Sequence, residues 1–205
     1  KAYFSKGNAL AALGKLDAGI QNYEMALSIN PNYQAARANK LHYQARICDW
    51  KALKKDQHFI AKLGTSTEAV GPFSILPLED APERHRLRAD KFSKITFTQT
   101  PLPLRPRPSQ KPKRLRIGYF SADFRNHPVM YALIEILERH NRELFEVYAY
   151  AYGGDSNDEM RHRTIKAVDV FDNVRDMNDR NVALLARQDE IDIAIDLTGH
   201  TNNSR

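Results

Sequence analysis

Apolar positions recur along residues 1–63 at the three- and four-residue spacing of helices that bury one face. Tyr3, Gly7 and Leu10 share one face of a first helix, and Gly14-Lys15 supplies a turn. Gly19, Tyr23 and Ala26 share the matching face of a second helix, which Pro31 ends. From Tyr33 the helical period continues without those residue types, and Ala35, Ala38, Leu41 and Ala45 predict one further helix. Asp49 predicts the N-cap of another, Trp50 to Leu63, with Gly64 as its stop. Trp50, Leu53, Phe59, Ile60 and Leu63 are its apolar positions. Residues 65–77 read as a loop around Gly71-Pro72, and the stretch from Glu79 to Pro82 predicts a helix start, with the helix running through Arg84 to Lys94.

After Arg114 the period changes. Short apolar runs at Leu115 to Phe120, Phe145 to Tyr152, Val170 to Val174 and Ile191 to Leu197 predict strands, the last of them buried. Between them, Val129 to Arg139, Asp158 to Val168 and Asp179 to Arg187 carry helical spacing. Strand and helix in alternation argue for βαβ units and a parallel sheet. Four strands fall short of a full doubly wound domain, which implies a sheet cut short by the end of the chain. Thr98 to Lys113 holds five prolines among polar residues and cannot bury enough apolar surface to form a core. The chain therefore divides into a helical region (1–97), a basic proline-rich linker (98–113) and the start of a sheet lobe (114–205).

Composition narrows the function classes. At 205 residues, 42% hydrophobic and 27% charged, the chain is an ordinary soluble globular protein of one large or two small domains. No apolar run approaches the ~18 residues that span a bilayer, and the first residues lack the charged-then-apolar pattern of a secretory signal. Cys48 is the sole cysteine, which rules out an intramolecular disulfide and argues against cysteine zinc sites. A cytoplasmic location follows as the expectation. The net charge of +6 raises a nucleic-acid partner, with Arg105 to Arg116 the densest basic run. No aromatic alternates with those charges and no nucleic-acid motif is present, so the run reads as a solvated linker.

The residues that carry chemistry sit at two strand ends. In Arg116-Ile-Gly-Tyr-Phe-Ser-Ala-Asp-Phe-Arg-Asn-His-Pro128 an apolar run ends in a small-residue turn bearing His127, and Asp196-Leu-Thr-Gly-His-Thr201 repeats the arrangement with His200. Ligands of open α/β sheets bind at the carboxyl ends of the strands, so the two turns suggest one crevice. Pro128 favours the first turn of a helix, which puts His127 at a helix N-terminus, where the dipole disfavours imidazolium. A neutral imidazole there can accept a proton or a hydrogen bond, or serve as a plain cap. Asp123 is placed to orient the imidazole, to cap the helix, or to pair with Arg125 or Arg116. Gly199 permits close backbone approach, while His200, Thr201 and Asn202 offer donors and acceptors; the alternative is an ordinary β-to-α loop with Asn202 or Asn203 as N-cap. His42, His58, His85, His140 and His162 have no partners at metal-ligand spacing and read as structural. Gly153-Gly154-Asp155 reads as a simple turn, and no dinucleotide fingerprint, Walker motif or nucleophile elbow occurs.

Residues 1–33 resemble the tetratricopeptide repeat, a helix-turn-helix unit of ~34 residues with small residues where its helices cross. Such a repeat, followed by a sheet region with the Ser121 to Pro128 and Leu197 to Thr201 motifs and Phe145-Glu-Val-Tyr148, resembles the bacterial members of the O-linked N-acetylglucosamine transferase family. That family includes the plant Spindly-type O-fucosyltransferases. The resemblance implies an α plus α/β fold: tetratricopeptide-type helical hairpins, then part of a Rossmann-like parallel-sheet lobe. It implies a protein O-glycosyltransferase that moves a sugar, N-acetylglucosamine from UDP-GlcNAc, onto Ser or Thr hydroxyls by one inverting displacement. The repeats present the acceptor polypeptide; the nucleotide sugar is a substrate, and no metal or cofactor is required. His127 falls on the motif histidine at the active site, a candidate base. Asp123, Asn126, Pro128, Gly199, His200 and Thr201 fall on substrate-binding surroundings, His200 at a position shared in the family between histidine and tyrosine. The family's donor-binding residues belong mostly to a second lobe, so the 205 residues alone are expected to be inactive. A tetratricopeptide interaction module without catalysis is the competing reading.

Overall fold

A computed structural model of the protein describes residues 1–66, 68–104, 106, 110, 112–201 and 204–205. It divides into two compact units, residues 1–100 and 101–205.

The first unit opens with the hairpin of α1 (Ala2–Ala12) and α2 (Leu16–Ile29). Gly14, at φ +75°, turns the chain between them. Tyr23 is fully buried, and its ring occupies the space a side chain at Gly7 would need: an added Cβ there would lie 2.6 Å from Tyr23 Cε1. Burial, with a smaller contribution from Tyr43 and against an opposing hydrogen bond with Asn39, lifts the Tyr23 hydroxyl pKa to about 12.

α3 (Gln34–Arg46) packs on α2, and α4 (Trp50–Asp56) is capped as expected, the Asp49 carboxylate accepting from the Ala52 amide at 3.0 Å. The helix predicted to continue to Leu63 instead tightens into a 3-10 segment, Gln57–Lys62. Asp56, at the break, is drawn back to α3 by Lys40 (3.0 Å) and Arg37 (3.4 Å). The tighter winding aligns side chains three apart, and Ile60 and Leu63 both enter the core. Trp50 is 60% exposed, contrary to its apolar pattern. The stretch predicted as a loop holds a short helix, α5 (Pro72–Ile75), because Pro72 occupies its first turn. α6 (Pro82–Thr96) closes the unit. From it the fully buried Arg88 donates to the carbonyls of Leu63 (2.7 Å) and Ile60 (2.8 Å) and pairs with Glu79.

The second unit is a four-stranded parallel sheet in the order β3-β2-β1-β4. Its strands are β1 (Leu115–Ser121), β2 (Phe145–Ala151), β3 (Val170–Asn173) and β4 (Ile193–Asp196), linked by α7 (Pro128–Glu138), α8 (Glu159–Ala167) and α9 (Asp179–Gln188). This is the Rossmann-like arrangement expected. Alternation along β2 explains the two faces. Val147, Ala149 and Ala151 meet Met130, Ile134 and Leu137 of α7 and Met160 of α8, whereas Tyr148 and Tyr150 meet Val182 of α9 on the other side. Gly118 of β1 leaves room for the Tyr150 ring, 3.0 Å from where a Cβ would lie. β4 departs from the buried strand predicted: it lies at a sheet edge with Ile193 42% exposed, because the sheet has no further strand beside it among the described residues. No helix among the described residues is long and apolar enough to cross a membrane.

Candidate active site

The strand order reverses direction once. From β1 the chain moves outward through β2 to β3, then returns across the sheet to place β4 on the far side of β1. The crevice at the carboxyl ends of β1 and β4 is therefore the topological switch point, where open α/β sheets bind ligands. The two strands are in parallel register, Phe120 beside Asp196, and the Leu197 amide donates to the Phe120 carbonyl at 3.0 Å. Both histidine turns leave the sheet from these neighbouring ends.

The turn after β1 is built inward from Ser121, which is fully buried and whose hydroxyl accepts from the Asp123 amide at 2.9 Å. Asp123 is 7% exposed and forms an ion pair with Arg125 Nη2 at 2.9 Å. Phe124 anchors the turn, its ring 5.9 Å from that of Phe171. The Asn126 side-chain carbonyl accepts from the Met160 amide at 3.3 Å, so it fastens the turn to the start of α8. Beside it, burial alone would raise the Asp158 carboxyl pKa, but hydrogen bonds from backbone amides, among them Asn126 and Arg161, hold it below the usual carboxylate range.

His127 is the N-cap of α7, in extended conformation, with Pro128 in the first turn. Its Nδ1 accepts from the Val129 amide at 3.3 Å and lies 3.7 Å from Asp123 Oδ2. Its carbonyl accepts from the Met130 and Tyr131 amides. The ring is 31% exposed and lies at the positive end of the α7 dipole.

The turn after β4 is organised by Asp196, whose carboxylate accepts from the amides of Thr198 (2.8 Å) and Gly199 (3.1 Å). Gly199 has φ +57°, a conformation glycine adopts without strain. His200 is partly buried. The Thr201 hydroxyl donates to the Thr198 carbonyl at 2.8 Å. Asn202 and Asn203 lie outside the described residues.

Residues to which the sequence reading gave no part in the site join the turns. Tyr152, just past β2, donates its hydroxyl to Thr198 Oγ1 at 2.7 Å, and the Ala122 amide reaches the same oxygen at 3.4 Å. Burial raises the Tyr152 pKa, with Asp196 and Asp123 adding to it and the Thr198 bond opposing. Gly153 packs directly on the β1 turn: a Cβ there would lie 1.8 Å from the Ala122 carbonyl oxygen. Gly153 is thus more than a turn residue, and the signal for it was the small residues on both sides, Ala122 and Gly153.

At the opposite end of the sheet, part of the basic run is neutralised. Arg116 pairs with Glu146 (3.2 Å) and Glu190 (2.6 Å), and Arg114 with Glu146 (3.5 Å). Arg105 and Arg107 lie outside the described residues. His85 contacts the Glu79 carbonyl and His140 the Tyr119 hydroxyl, both packing roles. Among the described residues no three His, Cys, Asp or Glu side chains cluster at metal-binding distance.

Residues 1–33 match the tetratricopeptide repeat model and residues 81–205 match glycosyl transferase family 41, a match that begins ahead of α6. Over 93 residues the chain is 41% identical to the probable UDP-N-acetylglucosamine–peptide N-acetylglucosaminyltransferase SEC of Arabidopsis thaliana, covering 45% of this chain and 10% of that protein. A rice (Oryza sativa) relative, the probable transferase SPINDLY, is 26% identical over 189 residues, covering 91% of this chain and 17% of its own length. Among solved structures, a mutant of the O-GlcNAc transferase of Thermobaculum terrenum superposes with a TM-score of 0.59 at 29% identity, covering 97% of this chain and 32% of that one. The chain thus spans a tenth to a third of the length of these proteins. With more than half of its residues matched by one family model, the chain belongs to glycosyl transferase family 41.

Proposed function

We propose that these residues form part of the active-site cleft of an enzyme that transfers N-acetylglucosamine from UDP-GlcNAc to Ser or Thr hydroxyls of proteins. The observation that carries this reading is that, in a chain of this family, the turns bearing His127 and Thr198–Thr201 leave from the neighbouring carboxyl ends of β1 and β4, at the switch point of the sheet. His127 is assigned to contact substrate. Asp123, Asn126 and Pro128 shape its side of the crevice, and Gly199, His200 and Thr201 the other. The reaction is a single inverting displacement in which the hydroxyl oxygen attacks the anomeric carbon, the bond from that carbon to the diphosphate oxygen breaks, and the hydroxyl proton passes to the departing diphosphate or to solvent. Positioning two reactants in line supplies much of such a rate enhancement. No resident cofactor or metal is invoked; the nucleotide sugar is a substrate. The helical unit presents the acceptor polypeptide.

The test is turnover of UDP-GlcNAc onto protein acceptors by a protein that carries these residues within a full family-length chain. Wild-type turnover with a large loss in His127→Ala is expected. Turnover unchanged by that substitution removes His127 from the site. Absence of turnover with any nucleotide sugar favours an interaction module built on the repeat. The 205 residues by themselves, whose match covers 10% of the Arabidopsis relative, are expected to show none.

A further inference from the structure

A backbone amide can only donate a hydrogen bond, so the nitrogen it points at must offer a lone pair. The Val129 amide points at Nδ1 of His127. A neutral imidazole carries one proton, and with Nδ1 used as acceptor that proton sits on Nε2. Nε2 meets no described group of the protein, and the ring is 31% exposed at the strand ends. Asp123 is the group that could reverse the assignment, since a carboxylate beside Nδ1 favours a proton there. Two features restrain it: Oδ2 stands 3.7 Å from Nδ1, beyond hydrogen-bond range, and Oδ1 is held by the Arg125 guanidinium at 2.9 Å.

We infer that His127 meets substrate as a hydrogen-bond donor through Nε2–H, aimed at a charged phosphate oxygen of the nucleotide sugar, and that Arg125 is a positioning residue that keeps Asp123 from claiming Nδ1. The choice of ligand rests on the glycosyl-transfer reading; the tautomer does not. In this role no bond to the histidine proton breaks. The proton lies opposite charge that grows as the diphosphate leaves, and a histidine in this tautomer has no lone pair facing the crevice with which to take the acceptor proton.

The tautomer is read directly from the ring nitrogens in a long-range proton–nitrogen correlation spectrum of the 205-residue chain. The spectrum is taken at about pH 8, above the ordinary histidine range. A protonated Nε2 and a bare Nδ1 are expected for His127 in the wild type, with a shift toward protonated Nδ1 in Arg125→Gln. A protonated Nδ1 in the wild type overturns the inference, and an unchanged spectrum in Arg125→Gln removes the role given to Arg125. In the full family-length enzyme, His127→Gln restores a donor amide near the Nε2 position but cannot act as a base. It is expected to stay within about tenfold of wild type, while His127→Ala loses about 10²–10³, the usual effect of deleting one transition-state donor. Glutamine as inactive as alanine overturns the donor role. If the wild type itself turns over no nucleotide sugar, the glycosyl-transfer reading fails and the spectrum still decides the tautomer.

Discussion

The Tyr152 hydroxyl donates to Thr198 Oγ1 at 2.7 Å, and this one bond ties the end of β2 to the turn after β4 across the intervening strand. Thr198 is buried and also faces the Ala122 amide, so its oxygen is the point at which three segments meet.

Tyr152→Phe is expected to cost about 1 kcal/mol, the net worth of one intramolecular hydrogen bond, and to speed exchange of the Thr198 and Gly199 amides. Thr198→Val removes the same bond. Denaturation of both single variants and the double variant gives the coupling; strictly additive losses would show that the bond contributes nothing.

Gly153→Ala puts a methyl group where the Ala122 carbonyl oxygen already lies. Overpacking of this kind costs about 1–3 kcal/mol when the backbone can yield, and the β1 turn that carries Asp123 and His127 is what must move. Gly154→Ala is the control, since nothing lies within 4 Å of its added carbon. Urea titration should separate the two, with Gly154→Ala close to wild type.

Arg88→Met leaves Glu79 without its buried partner and two carbonyls without a donor. Removing one member of a buried pair costs about 3–5 kcal/mol. The exposed Arg84, which pairs with the same carboxylate, should contribute about 0–1 kcal/mol. Fluorescence of Trp50, the sole tryptophan, reports unfolding of this unit. Equal losses in Arg84→Met and Arg88→Met would contradict the burial argument.

His140 adds a pH dependence to the sheet unit. Burial, and then the nearby Arg142, lowers its pKa below the ordinary histidine value, while Nε2 sits 2.8 Å from the Tyr119 hydroxyl. A folded-state value below the unfolded one means the unfolded chain binds the proton first as pH falls. The stability His140 contributes is therefore complete above about pH 6.5 and is lost as pH drops through the folded value. Exchange protection of the β1 amides should weaken over that window in the wild type and less so in His140→Gln.

Much of this architecture is readable from local pattern. The repeat hairpin is legible because Gly7, Gly19 and Tyr23 fall where helices must cross, and Asp49 and Asp158 announce their helices by capping them. The strands of the sheet unit stand out as apolar and aromatic runs between helical ones. What escaped depends on contacts between distant residues. The tightening at residues 57–62 follows from Asp56 meeting Lys40 and Arg37 of α3, and no local propensity encodes it. Gly153 matters only because the sheet register sets it against Ala122, and Tyr152 only because Thr198 lies across β1. The cap position of His127 is legible from Pro128, but the hydrogen bond from the Val129 amide to its Nδ1 is not.

Among the described residues β4 has one strand neighbour, β1, and for the 205 residues taken alone this exposed edge has a colloidal consequence. An uncovered sheet edge invites a second copy to add on, and antiparallel pairing centred on Ala194 would set Asp192 of each copy against Asp196 of the other. Both acids also bond main-chain amides, Arg116 for Asp192 and Thr198 and Gly199 for Asp196, so neither can easily swing away. Like charges directly opposed weaken a ladder. The acids that shape the sheet's edge thus also make it a poor template for its own copies.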